Sequence, residues 1–141
     1  MRLKLTKNWV AKVLSLLLAT AIWFLIKQNL ASNGGFIETS AATVKVADSA
    51  IVTASGSSGA KAGKWLVDPN DFYIQAYGGG ISGTALSATL DTGATGTDFE
   101  IATATSPGGV AGSGDIHVND NVVWTKGSTL TLTAERNILF E

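Results

Sequence analysis

Two hydrophobic patterns divide this chain. Residues 13–26, VLSLLLATAIWFLI, form an uninterrupted run without a charge, whereas the residues after Asn33 alternate apolar and polar side chains in short runs. A continuous apolar run of this length predicts a helix, and alternation with period two predicts strands. We therefore expect an N-terminal helical segment, residues 1–32, and a β-rich domain, residues 33–141.

The strand signal recurs along the second segment, and turn formers separate its occurrences. The alternating runs are Thr43 to Val46, Phe72 to Ile74, Phe99 to Ile101, Ile116 to Val118 and Leu130 to Leu132. Glycine-rich stretches such as residues 55–59, 78–80 and 92–96 lie between them and are typical of turns. Only residues 84–90, TALSATL, sustain a helical period, for at most two turns. The pattern predicts an all-β domain.

A sandwich, a closed barrel and a stacked solenoid are the three all-β alternatives. Hairpin dipeptides such as Asn-Gly do not flank paired runs here, although sandwiches commonly use them. The last third instead repeats short units, GDIHVND, NVVWTKGS, TLTLTAE and RNILFE, and Ile138 follows Ile116 by 22 residues. That distance suits one circuit of a parallel β-helix, with Asn119 and Asn137 as candidates for corner ladders.

The charge distribution indicates export. Residues 1–27 hold half of the ten basic side chains and none of the eleven acidic ones. Basic residues before an apolar run place the N-terminus in the cytoplasm, so everything from about Gln28 onward would be exported. The run has the length of a signal-peptide core, but no A-x-A site follows it. A thin span with Lys12 and Lys27 reaching the interfaces, or a buried core helix, are the alternatives.

Composition excludes several kinds of function. The acidic second segment has no basic cluster, which argues against nucleic acid as a partner because phosphate binding needs grouped Lys and Arg. The chain has no cysteine. Disulfides, zinc-thiolate sites and thiol catalysis are therefore excluded.

The stretch GKWLVDPNDFYI, residues 63–74, has two interpretations. Its Asp68-Pro69-Asn70-Asp71 centre could be half of a calcium loop, but it lacks the ligand spacing of an EF-hand. The favoured interpretation is a corner set by Pro69 and capped by the Asp and Asn side chains, with Trp65, Leu66 and Phe72 entering the core.

Catalytic candidates are few. The single histidine, His117, lies near Ser113, Asp115 and Asp120 but in no motif that builds a triad, and alternation turns it outward. The carboxylate pairs Asp98 with Glu100 and Asp115 with Asp120 could serve a glycosidase, yet acids of this kind are common on solvated strands. Residues 78–80 are no phosphate loop, because Lys-Ser/Thr does not follow. We expect no catalytic residue, no metal site and no cofactor.

Two family resemblances extend this interpretation. Residues 7–30 resemble the membrane anchor that precedes YbbR-like repeats. The blocks NGGFIETSAATVKVADSAIV, GKWLVDPNDFYI, GGGISGTALSATL and GSGDIHVNDNVVWTKGSTLTLTAERNI resemble filamentous-haemagglutinin-like exoproteins, the secreted adhesins of two-partner secretion systems. This resemblance implies a right-handed parallel β-helix shaft and a role in surface attachment. Ala41, Ala42 and Gly80 depart from the family pattern. No stretch of this sequence matches the Asn-Pro motifs of the family's secretion domain.

The combined prediction is an all-β, right-handed parallel β-helix of few coils, preceded by one N-terminal apolar α-helix. The expected function is non-enzymatic: an exported adhesive shaft segment at the cell surface or secreted, with the helix in or through the inner membrane. Host glycan or matrix protein would be the partner, and open β-helix ends could self-associate. The alternatives are a carbohydrate-active enzyme or a membrane-anchored periplasmic structural module. The expected corner and core residues are Trp65, Leu66, Pro69, Phe72, Ile74, Ile116, Val118, Leu130 and Leu132.

Overall fold

The structure is a computed structural model that describes residues 8–29, 33–104 and 112–141. The chain divides into two compact units, Met1–Ser32 and Asn33–Glu141. The division falls where the uninterrupted apolar run gives way to glycine-punctuated strands.

In the described part of the first unit, residues 8–29, the chain forms one helix, α1, which spans Trp9–Asn29. The apolar side chains of residues 9–23 are exposed, among them Leu14, Leu17 and Trp23. Thr20 donates a hydrogen bond from Oγ1 to the carbonyl of Leu16, as hydroxyls in helices commonly do. Among residues 8–29, 33–104 and 112–141, no helix combines the length and the apolar character needed to cross a membrane.

The second unit contains two parallel sheets. Sheet A consists of β1 (Phe36–Ser40), β2 (Gly63–Asp68), β4 (Thr97–Ala102) and β6 (Leu130–Thr133), paired in that order. Sheet B consists of β3 (Phe72–Ile74), β5 (Ile116–Val118) and β7 (Ile138–Phe140). After β1, successive strands belong in turn to sheet A and sheet B. All of the strand pairs within each sheet are parallel.

Period-two alternation builds the core between the sheets. In sheet A, Trp65 pairs with Phe99 and Val67 pairs with Ile101, and all four side chains are buried. Trp65 meets Phe99 edge to face, with ring centroids 4.9 Å apart, which is a favourable geometry for two aromatic rings. Phe72, Ile74 and Ile116 of sheet B join the same buried cluster. The parallel register therefore places the apolar side chains of neighbouring strands next to each other on the inner face of each sheet.

A second helix, α2 (Gly83–Leu90), lies between β3 and β4 in the chain. Ser82 caps its N-terminus, because the Ser82 hydroxyl accepts a hydrogen bond from the backbone N–H of Ala85. The helix buries Ala85, Leu86 and Leu90 in the core cluster. Later segments of the chain are tied to it: Gly83 N–H donates to Asp120 Oδ2, and the Ser128 hydroxyl donates to the carbonyl of Leu90.

The predicted fold class is wrong. The unit is of the α/β type, with two parallel sheets and a buried helix, rather than an all-β right-handed parallel β-helix, and neither sheet closes on itself among the described residues. The pattern of residues 84–90 predicts at most two helical turns, and the prediction of an all-β domain gives that short helix no weight. Capping by Ser82 and the burial of Leu86 and Leu90 stabilise that helix in spite of its short length.

The strand predictions have mixed outcomes. The runs at residues 72–74, 99–101, 116–118 and 130–132 all lie in strands. The run Thr43 to Val46 does not form a strand, although Val44 is buried and Val46 N–H donates to the carbonyl of Gly80. The expected return of Ile116 to Ile138 is confirmed, because these residues pair directly across β5 and β7.

Candidate ligand-contacting site

The structure buries most of the residues expected in the corner and core. Trp65, Pro69, Phe72, Ile74 and Ile116 are buried. Val118, Leu130 and Leu132 are partly buried and pack against the core cluster. These side chains hold β2, β3 and β5 in place, and so they fix the outer face of sheet B.

Leu66 is an exception, and its expected place in the core is wrong. It lies in β2 between the buried residues Trp65 and Val67, so its side chain faces the opposite side of sheet A. Its register partners there are Glu38 and Glu100. Three consecutive apolar residues do not reveal which face of a strand is inside, and the pairing decides the matter.

The outer face of sheet B carries two stacked rings. Tyr73 of β3 pairs with His117 of β5, and their ring centroids lie 4.3 Å apart with an angle of 8° between the planes. We call Tyr73 and His117 the stacked pair. Their neighbours Phe72 and Ile116 point inward and are fully buried. The core therefore holds the strand backbone that carries both rings. Tyr73 remains 37% exposed.

A cleft of about 260 Å³ adjoins Tyr73. Its walls are residues 42–45 and the glycines 78–80, and its polar lining includes Asn70 and Asp71. An aromatic ring beside a few converging polar groups is typical of small-molecule sites in proteins. We call this space the Tyr73 cleft.

A hydrogen-bond network fixes Asp71. Its Oδ1 accepts hydrogen bonds from the backbone N–H groups of Ser113 (2.8 Å) and Asp115 (3.0 Å), and from the Ser113 hydroxyl (3.1 Å). Burial raises the pKa of Asp71, but these hydrogen bonds outweigh burial and hold the pKa below its usual value. Asp71 is therefore ionised at neutral pH.

Asp115 is the second carboxylate of this network. It is only 3% exposed, and both of its oxygens accept hydrogen bonds from Arg136, with Nε lying 2.9 Å from Oδ1. The Ser113 hydroxyl and Asn137 Nδ2 also donate to it. The hydrogen bonds from Arg136 hold the pKa of Asp115 well below its usual range, against the effect of burial. The ion pair between Asp115 and Arg136 joins the segment before β5 to the segment before β7.

This pairing predicts a loss of stability in acid. A carboxylate with a lowered pKa in the folded state binds fewer protons than it does in the unfolded chain, so protonation favours unfolding. The free energy of unfolding should fall as the pH drops below about 4, the ordinary range of aspartate. Asp115→Asn should make this fall shallower in urea titrations at successive pH values, whereas Asp48→Asn, at an exposed position, serves as the control. Equal slopes in Asp115→Asn and the parent chain would contradict the assignment.

Each of the other candidate catalytic residues takes part in a hydrogen bond, an ion pair or a ring contact within the fold. Glu100 Oε2 lies 2.6 Å from Lys64 Nζ, and this hydrogen bond raises the pKa of Lys64. Asp98 Oδ1 accepts the backbone N–H of Thr129 at 2.7 Å. Asp120 accepts from Gly83 at the start of α2. Ser113 bonds to Asp71 and Asp115, while His117 stacks on Tyr73, so the structure does not assemble a Ser-His-Asp triad from them.

The corner asparagines bond to carboxylates. Asn119 Nδ2 donates to Glu141, and Asn137 Nδ2 donates to Asp115. These bonds join neighbouring turns of the chain, but through an amide and a carboxylate rather than through an asparagine ladder. Within the part of the chain that the structure describes, no group of three or more His, Cys, Asp or Glu residues is arranged to hold a metal ion.

Sequence reasoning missed Tyr73 as a site residue. The alternation in Phe72-Tyr73-Ile74 and Ile116-His117-Val118 already places Tyr73 and His117 on the outer side of their strands. Their contact depends on the pairing of β3 with β5, which skips α2 and β4 in the chain and leaves no local signal. No family model, curated protein or solved structure matches the chain.

Proposed function

We propose that this chain is an exported, non-enzymatic structural and adhesive protein whose Asn33–Glu141 unit attaches to a glycan or a matrix protein. The stacked pair is the observation that carries the proposal. Its two rings lie parallel on an outer face, at 4.3 Å, above fully buried neighbours. A rigid aromatic surface loses little conformational entropy when a ligand covers it, and this supports a role in binding.

The parallel ladders favour a mechanical role as well. Sheet A and sheet B hold their strands in continuous register, and the core cluster ties both sheets to α2. Such a scaffold presents its outer side chains at fixed spacing. Weak contacts then gain strength when many copies engage one surface together, which is how attachment differs from tight binding by a single site.

Export is supported by the N-terminal segment. All of the charged side chains in residues 1–27 are basic, and they flank the apolar residues of α1. Charge of this distribution favours retention of the N-terminus in the cytoplasm and translocation of the downstream segment. The attachment surface would thereby reach the outside of the cell.

Attachment of coated beads tests the proposal. Beads carrying the full chain should adhere to surfaces coated with glycans or matrix protein, and Tyr73→Ala should reduce adhesion about tenfold, as loss of an aromatic anchor commonly does. Tyr77→Ala is the matched control, because Tyr77 is 90% exposed and takes no part in the stacked pair. Its adhesion should equal that of the parent chain.

The same beads separate attachment from enzymatic activity. Asp98→Asn combined with Glu100→Gln removes the carboxylate pair that a glycosidase would need, and it should leave adhesion unchanged. Release of sugar from the coated surface by the parent chain, abolished in this double variant, would contradict the proposal. So would adhesion that is equally strong in the parent chain and Tyr73→Ala.

A further inference from the structure

We propose that the Tyr73 cleft binds a neutral hexopyranose, with the apolar face of the sugar ring against the ring of Tyr73. The inference rests on the proposed attachment function and names the ligand class for it. Three features of the cleft carry it: the orientation of Tyr73, the placement of the polar groups, and the shape of the walls.

One face of the Tyr73 ring is covered within the sheet. His117 stacks on that face at 4.3 Å with nearly parallel planes. Tyr73 also lines the cleft, together with residues 42–45 and 78–80. Beyond β3, Ile81 forms an isolated parallel bridge with Ile74, and Gly80 donates its N–H to the carbonyl of Tyr73 at 2.8 Å. Gly80 has no side chain, which leaves the ring face opposite His117 available to line the cleft. A flat apolar ring face suits the C–H face of a pyranose, which is similarly flat and apolar.

The polar groups of the cleft match sugar hydroxyls. The carboxylate of Asp71 lines the cleft, its Oδ1 accepts the hydrogen bonds from Ser113 and Asp115, and the backbone of Gly114 also hydrogen-bonds to it. A ligand hydroxyl can donate to the second oxygen of this charged group. Thr43 and Lys45, both exposed, can donate from the other wall. A hydroxyl both donates and accepts, and so it can satisfy carboxylate and ammonium groups together. Hydrogen bonds to charged groups are among the stronger ones available.

The charges and the size favour a neutral ligand of one ring. Asp71 is ionised at neutral pH and partly buried, so it opposes an anionic ligand such as a phosphate, and the exposed Lys45, whose charge solvent screens, only partly offsets this repulsion. The cleft wall at residues 78–80 consists of glycines and has no side chains. A Cβ atom at Gly79 would meet Gln75, and one at Gly80 would meet the ring of Phe72. A volume of about 260 Å³ accommodates a single sugar ring rather than a larger drug-sized molecule.

Titration of the isotopically labelled full chain tests this inference. Methyl glycosides of glucose, galactose and mannose are added separately, in a zwitterionic detergent without a sugar headgroup, and backbone amide shifts are followed. At least one glycoside should shift residues of the cleft in a saturable manner, with a dissociation constant on the order of 1 mM. Glucuronate, the anionic comparator, should bind about tenfold more weakly, since Asp71 repels it.

Variants separate the contributions of ring, charge and space. Tyr73→Ala should weaken glycoside binding at least tenfold, whereas Tyr73→Phe and Tyr77→Ala should stay within about twofold of the parent chain. Asp71→Asn retains Oδ1 as an acceptor and should weaken binding about tenfold through loss of the charge. Thr43→Trp, at an exposed position on the cleft wall, should block binding without altering the core.

The outcomes distinguish this inference from the function on which it rests. If none of the three glycosides shifts the cleft, or if glucuronate binds as tightly as they do, the inference is overturned, and bead adhesion decides the attachment function independently. Binding that Thr43→Trp and Tyr73→Ala leave intact would also overturn it. Saturable binding at the cleft without bead adhesion would support the cleft assignment and contradict the attachment function.

Discussion

Phe99→Ala is expected to lower the free energy of unfolding of the Asn33–Glu141 unit by about 3 to 5 kcal/mol. Phe99 is fully buried and packs edge to face against Trp65 at 4.9 Å. It also stands between Trp65 and Leu130 in the inner row of sheet A. Truncation removes contacts to both neighbouring strands and leaves a cavity that rigid backbone ladders cannot close. Urea denaturation followed by circular dichroism measures the effect.

Phe36→Ala provides a control of the same chemistry. Phe36 lies in β1 of the same sheet but on its outer side, with 61% of its surface exposed. Its replacement should change the free energy of unfolding by less than about 1 kcal/mol. Since domains of this size are stable by about 5 to 15 kcal/mol, the Phe99 variant should be visibly weakened at room temperature. Equal losses in the two variants would show that the inner and outer faces of sheet A are wrongly assigned.

Gly63→Ala is expected to destabilise the unit by about 1 to 3 kcal/mol or more. A Cβ atom at Gly63 would overlap the backbone oxygens of Ala54 and Gly35 and the carbonyl carbon of Gly34. Gly63 N–H also donates to the carbonyl of Ala54 at 3.1 Å. All of the obstructing atoms belong to the main chain, so the first strands of sheet A would have to move apart. Thermal unfolding by calorimetry measures the loss.

Gly35→Ala is the matched control for this substitution. Gly35 precedes β1, and a Cβ atom there meets nothing within 4 Å. Its φ angle is not among the positive ones, so alanine is not strained. The control should shift the midpoint of unfolding little or upward, because alanine reduces the entropy of the unfolded chain. A Gly63→Ala midpoint equal to that of Gly35→Ala would contradict the close approach of these backbones.

The inner rows of the sheets were predictable from the sequence, because alternation alone separates Phe99 and Ile101 from Asp98 and Glu100. The match between Ile116 and Ile138 was also predictable, because the short repeated units of the last third place these residues 22 apart, and they pair directly across β5 and β7. Leu66 was not, because Trp65, Leu66 and Val67 are all apolar and either face of β2 could have been the inner one.

The helix and the site depend on information that single segments do not contain. Residues 83–90 mix strong helix formers, Ala and Leu, with Gly, Ser and Thr, and the stretch is short, so its own residues indicated α2 only weakly. Asp71 and Asp115 acquire their partners from segments on neighbouring turns of the chain. The Tyr73 cleft likewise combines residues 42–45, residues 70, 71 and 73, and residues 78–80, whose proximity follows from tertiary packing rather than from any motif.

The distribution of charge and aromatic groups connects fold with function. Parallel register brings Tyr73 and His117 into one outer row, and Tyr73 also lines the cleft. Asp71, another lining residue, accepts a hydrogen bond from the backbone of Asp115, which in turn accepts hydrogen bonds from Arg136. The strands that build the core thus also position the residues of the proposed ligand-contacting cleft.

The register of sheet B is the claim on which the site depends, and nuclear Overhauser spectroscopy of the folded chain tests it directly. The chain contains one histidine, so its imidazole protons can be assigned without ambiguity. We expect strong cross-peaks between the imidazole protons of His117 and the ring protons of Tyr73, which lie in stacked rings 4.3 Å apart. Cross-peaks from His117 to another aromatic ring, with none to Tyr73, would contradict the pairing of β3 with β5 and with it the proposed site.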